Sequence, residues 1–371
     1  MDVMPKWAEV VLVPLISLLL AAVISALVIL AIGEDPIEAA SLMIEGALGS
    51  VRGWGYTLYY ATSFIFTGLA VAVAFHARLF NIGGEGQAML GGLGVAYALL
   101  YIGWPHWTIG LIAATIMAAL FGAVWAAIPA YLQAKRGSHI VITTIMFNFI
   151  ASALLIYLIN EFLKPVGQSD PSSARFADHL DLPTLNSVLT GMGIKASKDD
   201  SVNVTFLIAL ACAVGVWVLM WKTRLGYEIR AFGHSEQGAK YAGINPVKIT
   251  MVAMLISGGL AGLMAINTVM GESEKLILNS TEGAGFIGIA VALMGRSHPL
   301  GVVIAAILFG FLYQGGAEIA LWTSIPRELI VVIQALVILF TGALDNMVRM
   351  PLERMFLAAR RRREDAAGPA E

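Results

Sequence analysis

Charge is scarce in this sequence. Only 13% of its 371 residues are Asp, Glu, Lys or Arg, where a soluble domain carries about a quarter. The formal net charge is -2, and nothing in the chain suggests nucleic-acid binding. There is one cysteine, Cys212, inside an apolar run. It excludes an intrachain disulfide and a cysteine metal cluster. The histidines, at positions 76, 106, 139, 179, 234 and 298, have no ligand spacing, and no H-E-x-x-H occurs. No metal site is expected. No G-x-x-x-x-G-K-[ST] occurs either, so the chain has no phosphate loop of that type and no route to ATP hydrolysis through one. No catalytic residue is expected.

What is abundant is apolar sequence in long runs. Hydrophobic residues make up 58% of the chain and the mean hydropathy is +0.80. A crossing takes about 20 apolar residues. On that length the chain reads as about ten segments: 9–32, 56–77, 82–102, 107–129, 140–163, 204–222, 247–270, 282–295, 299–321 and 326–346. The eighth is short and glycine-rich, an awkward fit to a simple spanning helix. The first apolar run, Val10 to Ile32, is too long for a signal-peptide core and has no small-x-small cleavage pattern.

Basic residues orient the segments. Lys6, Arg78, Lys135, Arg136, Lys222, Arg224, Arg230, Lys240, Lys248, Arg296, Arg349, Arg354 and the run Arg360 to Arg363 all fall on one side if both termini are cytoplasmic. The expected fold class is therefore an all-α polytopic membrane protein with cytoplasmic N- and C-termini. Residues 1–346 form the membrane domain, and 347–371 form a basic cytoplasmic tail. The opposite side holds an extracytoplasmic loop at about 164–203, with the acidic pair Asp199-Asp200. It is either a solvated loop or a docking surface for an external partner. Pro36 to Glu45 has the pattern of a short amphipathic helix lying at the outer interface.

Polar residues inside apolar segments are costly in lipid, so they tend to face protein or a wet cavity. The densest such group is Asn81-Ile82-Gly83-Gly84-Glu85-Gly86-Gln87. A fainter echo, Asn279-Ser280-Thr281-Glu282-Gly283-Ala284-Gly285-Phe286, follows the seventh segment. The two lie at opposite membrane faces in this topology, the pattern of an inverted pseudo-repeat whose interrupted segments frame a path near the midplane. Asn81, Gly83, Gly84, Glu85, Gln87, Asn148, Asn267, Glu282, Gly283 and Phe286 are the candidate path and signature residues. For Glu85 and Glu282 the alternative is a carboxylate capping helical N–H groups. For Asn148 and Asn267, as for Asn160 and Gln334, it is a helix–helix hydrogen bond. In the polar loop at about 223–246, Ser235 to Ala242 reads as a short helix. Ser235 is its N-cap, and Gly243 stands where a C′ glycine ends a helix.

Four ordered stretches carry a family resemblance. They are Leu79 to Gln87; Thr143 to Ile150; Ile229 to Gly233 with Ala239 to Ile244; and Gly283 to Gly295. The sequence resembles ABC importer permeases of the branched-chain amino acid and simple-sugar superfamily, closest to the nucleoside-type branch. At His234-Ser235 it departs from the family's common Gly-x-Asn. The resemblance implies a path for a small polar solute, a nucleoside or simple sugar, in a bacterial plasma membrane. It implies that Arg230, Ala231, Phe232, Gly233, Ala239, Tyr241, Ala242, Gly243 and Ile244 belong to a coupling loop seated on a cytoplasmic ABC ATPase. That partner binds ATP and Mg, and this chain binds no cofactor. A second permease subunit, the same or related, and an extracytoplasmic substrate-binding protein are the further partners. The competing reading is an ATP-independent secondary transporter, which would share interrupted segments but needs coupling-ion carboxylates at mid-membrane.

Overall fold

The structure is a computed structural model. It describes residues 5, 8, 12–184, 187, 202–323, 325, 327–340, 350–354 and 356–358. Lys6, the pair Asp199-Asp200, Arg349 and the run Arg360 to Arg363 lie outside the described residues.

The chain is helical, and no strand ladder forms among the described residues. In order, the helices are α1 Val13–Ile32, α2 Pro36–Leu48, α3 Val51–His76, α4 Gly84–Tyr101, α5 Trp107–Arg136, α6 Ile140–Leu158, α7 Thr205–Lys222, α8 Arg224–His234, α9 Glu236–Tyr241, α10 Pro246–Ala265, α11 Ala284–Met294, α12 Pro299–Trp322 and α13 Arg327–Ile338. A π-helical turn, Ile159–Leu163, prolongs α6, and another, Ile266–Met270, prolongs α10. Among the described residues, seven helices are long and apolar enough to cross a membrane. Of the other expected segments, α4 is glycine-rich and α11 has 11 residues. At 1.5 Å per residue α11 reaches only about 16 Å, half of a hydrocarbon core.

The chain divides into two compact units, 47–314 and 1–46 with 315–371. In the larger unit, α3 and α10 are central: 83% and 78% of their most apolar windows are buried, against 28% in α5, α6 and α7. The peripheral helices turn large apolar side chains outward; Ile112, Ile116, Leu120 and Val124 of α5 are all at least half exposed. Such a face suits lipid and not water. Where helices cross, small residues let backbones approach. A Cβ on Gly122 of α5 would strike the Gly258 carbonyl of α10, and one on Gly262 would strike the Ala118 carbonyl.

In the smaller unit, Ile29, Ala39, Ile319, Ile325 and Ile333 form one buried cluster, with Leu42 and Met43 against it. Ala8 and Val13 form another with Leu352 and Phe356. Leu15, Leu19, Val23, Leu27 and Leu30 make an exposed stripe along α1.

The loop after α6 is not simply solvated. Ser173 N–H donates to the Leu276 carbonyl (2.9 Å), Phe176 N–H to the Glu274 carbonyl (2.8 Å), and Arg175 pairs with Glu274. Phe176, Leu180 and Leu182 are buried. Residues 172–182 are thus folded back on the loop before α11.

Candidate functional site

The glycine-rich stretch before α4 forms a polar knot. Asn81 Oδ1 accepts from Gly83 N–H (2.9 Å), so Asn81 turns the chain into the helix. Its amide donates to Gln87 Oε1 and to Ser257 Oγ, both at 2.9 Å. Ser257, on α10, donates to the Ala70 carbonyl of α3 (2.6 Å). From α6, Asn148 Oδ1 accepts from Gly86 N–H, and its amide donates to the Ile82 carbonyl, each at 2.9 Å. Asn81, Gln87 and Asn148 are all buried. Their side chains satisfy the backbone groups that an interrupted helix exposes.

Glu85 reaches from this stretch to its echo. Its carboxylate accepts from Thr281 Oγ1, from Gly283 N–H (3.1 Å) and from Gly285 N–H (2.8 Å). It therefore caps the N-terminus of α11, where unpaired N–H groups and the helix dipole favour an anion. The approach requires glycine: a Cβ on Gly285 would meet the Glu85 backbone nitrogen. Glu282 and Gly283 both hold positive φ, 46° and 78°, which turns the chain sharply into α11. The two interrupted segments thus meet, N-terminus toward N-terminus, inside one unit. The sequence pattern paired them; the direct carboxylate clasp between them has no counterpart in that pattern.

Asn267 lies in the π turn after α10 and is buried. It donates to the Tyr59 carbonyl and Ser63 Oγ of α3, both at 3.0 Å, and accepts from Thr205 Oγ1 of α7 (2.8 Å). It joins three elements by hydrogen bonds. Glu282 and Phe286, by contrast, are exposed.

Beside this clasp lies a narrow cleft of about 30 Å³, room for a few waters, walled by α3, the π turn, the loop before α11, and α12. Tyr60 and Tyr313 have ring centroids 5.5 Å apart, and Phe64 meets Tyr313 edge-on at 5.1 Å. Glu272, Glu282, Thr268 and Thr281 supply polar groups. Tyr59 donates its hydroxyl proton to Glu272. Burial pushes the Glu272 carboxyl above its ordinary value; the Tyr59 hydrogen bond opposes this and the charge of Glu282 adds to it. Sequence reasoning did not single out Tyr59, Tyr60, Thr268, Glu272 or Tyr313. Aromatic residues along a helix read as packing until the fold converges them.

At the ends of α3 and α7, a second constellation holds the other candidates. α8 buries Gly226, Ile229, Phe232 and Gly233 on one side. Gly233 abuts the end of α3: a Cβ there would strike the His76 carbonyl. The Arg230 guanidinium lies 5.8 Å from the Trp221 ring. α9 begins as expected, with Ser235 Oγ accepting from Gly238 N–H (3.0 Å). It ends at Gly243, φ 80°, while Ile244 N–H returns to the Ala239 carbonyl (2.9 Å). Ala239 is buried; Ala242 and Gly243 are exposed, and Tyr241 is 95% exposed. α8 itself is absent from the sequence reading, because an eleven-residue amphipathic helix carries no span signal.

Residues 53–342 match the family described as "branched-chain amino acid transport system / permease component". The chain is 33% identical to the glucose ABC transporter permease protein TsgB13 of Haloferax volcanii, over 96% of this chain and 93% of that one. It is 34% identical to the guanosine ABC transporter permease protein NupP of Bacillus subtilis, over 92% and 95%. It is 33% identical to the nucleoside ABC transporter permease protein NupB of Lactococcus lactis, over 89% and 90%. The match runs through both halves of the polar clasp and through α8 and α9. The chain belongs to the branched-chain amino acid transport system / permease component family, and is an ABC transporter permease subunit.

Proposed function

We propose that this chain carries a nucleoside or simple sugar inward across a bacterial plasma membrane, driven by a partner that binds ATP and Mg. The observation that carries the reading is identity of 33–34%, across nearly the whole chain, to permeases named for glucose, guanosine and nucleosides. In this reading the chain makes about ten crossings. α4, α11 and α13 join the seven long apolar helices. Both termini are cytoplasmic. Residues 1–346 are the membrane domain, 164–203 the extracytoplasmic loop, 223–246 the coupling loop and 347–371 the cytoplasmic tail.

The coupling loop is the α8–α9 pair. α8 is anchored by buried Ile229 and Phe232, while Tyr241 at the end of α9 and Gly243 just beyond it stand free for an ATPase cleft. An extracytoplasmic binding protein delivers the solute, and a second permease subunit completes the path. Nucleotide binding favours one state of the permease pair over the other, so its differential affinity drives the switch in access. The permease performs no bond chemistry. Glu85, Gln87, Asn81, Asn148 and Asn267 frame the path and hold its interrupted segments together. Glu282, Gly283 and Phe286 lie on its second half.

Affinity purification of the tagged chain from its native membrane tests this. A stoichiometric complex with an ABC ATPase and a second permease is expected. Recovery of the chain alone, with full solute uptake in cells that lack the ATPase, would refute it.

A further inference from the structure

We infer that the groove between α7 and the start of α12 seats one anionic phospholipid, drawn from the leaflet on the α8–α9 side of the membrane. This rests on the reading of the chain as a membrane-spanning permease subunit.

The groove has a volume of about 510 Å³. Leu210, Val214 and Trp217 of α7 form one wall, and Pro299, Leu300 and Val303 of α12 form the other. From Leu210 to Trp217 it follows α7 for about 10 Å. Apart from Trp217 and His298 its lining is aliphatic. Val214 and Leu300 are 61% and 67% exposed, so the groove opens sideways, where the bilayer lies. The exposed stripe of α5 belongs to a single helix, whereas this surface is a trough between two. An unfilled trough forfeits dispersion contacts along both walls, and a lipid acyl chain restores them.

The chemistry at one end of the trough selects the lipid. Lys222 closes α7, and its ammonium lies 5.4 Å from the centroid of the Trp217 ring. The stem is thus folded back along the groove wall, with the charge held at the mouth. Lys222 has no carboxylate partner among the described residues. The His298 ring stands 5.0 Å from that of Trp221, one turn beyond Trp217. His298 Nδ1 accepts from Leu300 N–H (3.3 Å), so its Nε2 carries a proton to donate. The Arg230 guanidinium lies 5.8 Å from the same Trp221 ring. The N-terminus of α12 adds the positive end of a 24-residue helix. Among the described residues no Asp or Glu lines the groove, and the nearby Glu228 is paired with Arg224 (3.0 Å).

A phosphodiester supplies the missing counter-charge at the depth where the apolar walls end. The two tryptophans stand at that level, where amphipathic rings favour the headgroup boundary. An apolar helix of a second subunit could fill the trough, but it would strip water from Lys222 without pairing it. An anionic lipid fills the trough and pairs the cation together.

Native mass spectrometry of the delipidated complex of this chain with its partners tests the assignment. Dioleoylphosphatidylglycerol and dioleoylphosphatidylcholine are titrated separately, and glycerol 1-phosphate is added as a competitor. Phosphatidylglycerol should bind about fivefold more tightly than phosphatidylcholine. Lys222→Gln should weaken phosphatidylglycerol by about threefold or more and leave phosphatidylcholine unchanged. Val214→Trp, which fills the groove from its exposed edge, should weaken both lipids. Both variants should keep the complex assembled, and glycerol phosphate should displace neither lipid. Equal affinity for the two lipids, an unchanged phosphatidylglycerol affinity in either variant, or displacement by glycerol phosphate overturns the inference. Loss of the second permease from the Val214→Trp complex, with no lipid adduct on the unaltered one, also overturns it and makes the groove a subunit interface. Purification of the chain without any ATPase would count against the importer reading instead, and the same titration on the chain alone would still decide the groove.

Discussion

Glu85 accounts for the clasp with one carboxylate. It accepts two backbone N–H groups of the turn into α11 and a hydroxyl. Hydrogen bonds to charged groups contribute about 1.5–3 kcal/mol each. Glu85→Gln replaces one acceptor oxygen with a donor that faces an N–H. We expect a loss of about 1–3 kcal/mol, read as a lowered thermal unfolding temperature of the detergent-purified protein. The sequence already pairs Glu85 with Glu282 by their shared Glu-Gly context. It does not reveal that Glu85 caps the other segment while Glu282 stays exposed, because which carboxylate turns inward depends on the Gly84–Gly285 approach.

Two glycines on the α8–α9 element show how unlike their roles are. Gly243 needs its positive φ, and a Cβ there meets nothing within 4 Å among the described residues. Gly243→Ala should cost about 1 kcal/mol of local helix-end stability and leave insertion intact. Gly233→Ala strikes the His76 carbonyl, so it should displace α8 from the end of α3. Hydrogen exchange of α8 amides separates the two: faster exchange is expected in the Gly233 variant and not in the Gly243 variant.

At the scale of elements, helix ends follow local chemistry more than hydropathy. The expected segment 107–129 stops short of the helix, which continues through Pro129 to Arg136. Lys135 and Arg136 suit a helix C-terminus, and Gly137, at φ 69°, ends it in the left-handed conformation. α9 was legible because Ser235 and Gly243 are local signals. α8 was not, since its amphipathic face is defined by what it packs on. The α5–α10 crossing depends on Gly122, Gly258 and Gly262. Gly122→Val should abolish folded protein in detergent. Gly215→Ala on α7, with nothing within 4 Å among the described residues, should be neutral or stabilising by up to about 1 kcal/mol. Size-exclusion recovery after mild heating reads both variants.

Across the whole molecule, the placement of the basic residues predicts an orientation that the helices leave open. Tyr241 lies on the exposed α9, and Asp178 lies in the loop after α6. In a Cys212→Ser background, Tyr241→Cys should react with a membrane-impermeant maleimide only from the cytoplasmic side. Asp178→Cys should react only from outside. Labelling of both from one side would reject the topology.

The central claim is that this permease moves solute only when a partner ATPase works through α8 and α9. The direct measurement is guanosine and glucose uptake into proteoliposomes holding this chain and its partners, with the ATPase either active or inactivated at its catalytic carboxylate. We expect uptake of one solute with the active ATPase and none with the inactive one, whether or not an ion gradient is present. Uptake that persists with the inactive ATPase and collapses when an uncoupler removes the gradient would contradict the account.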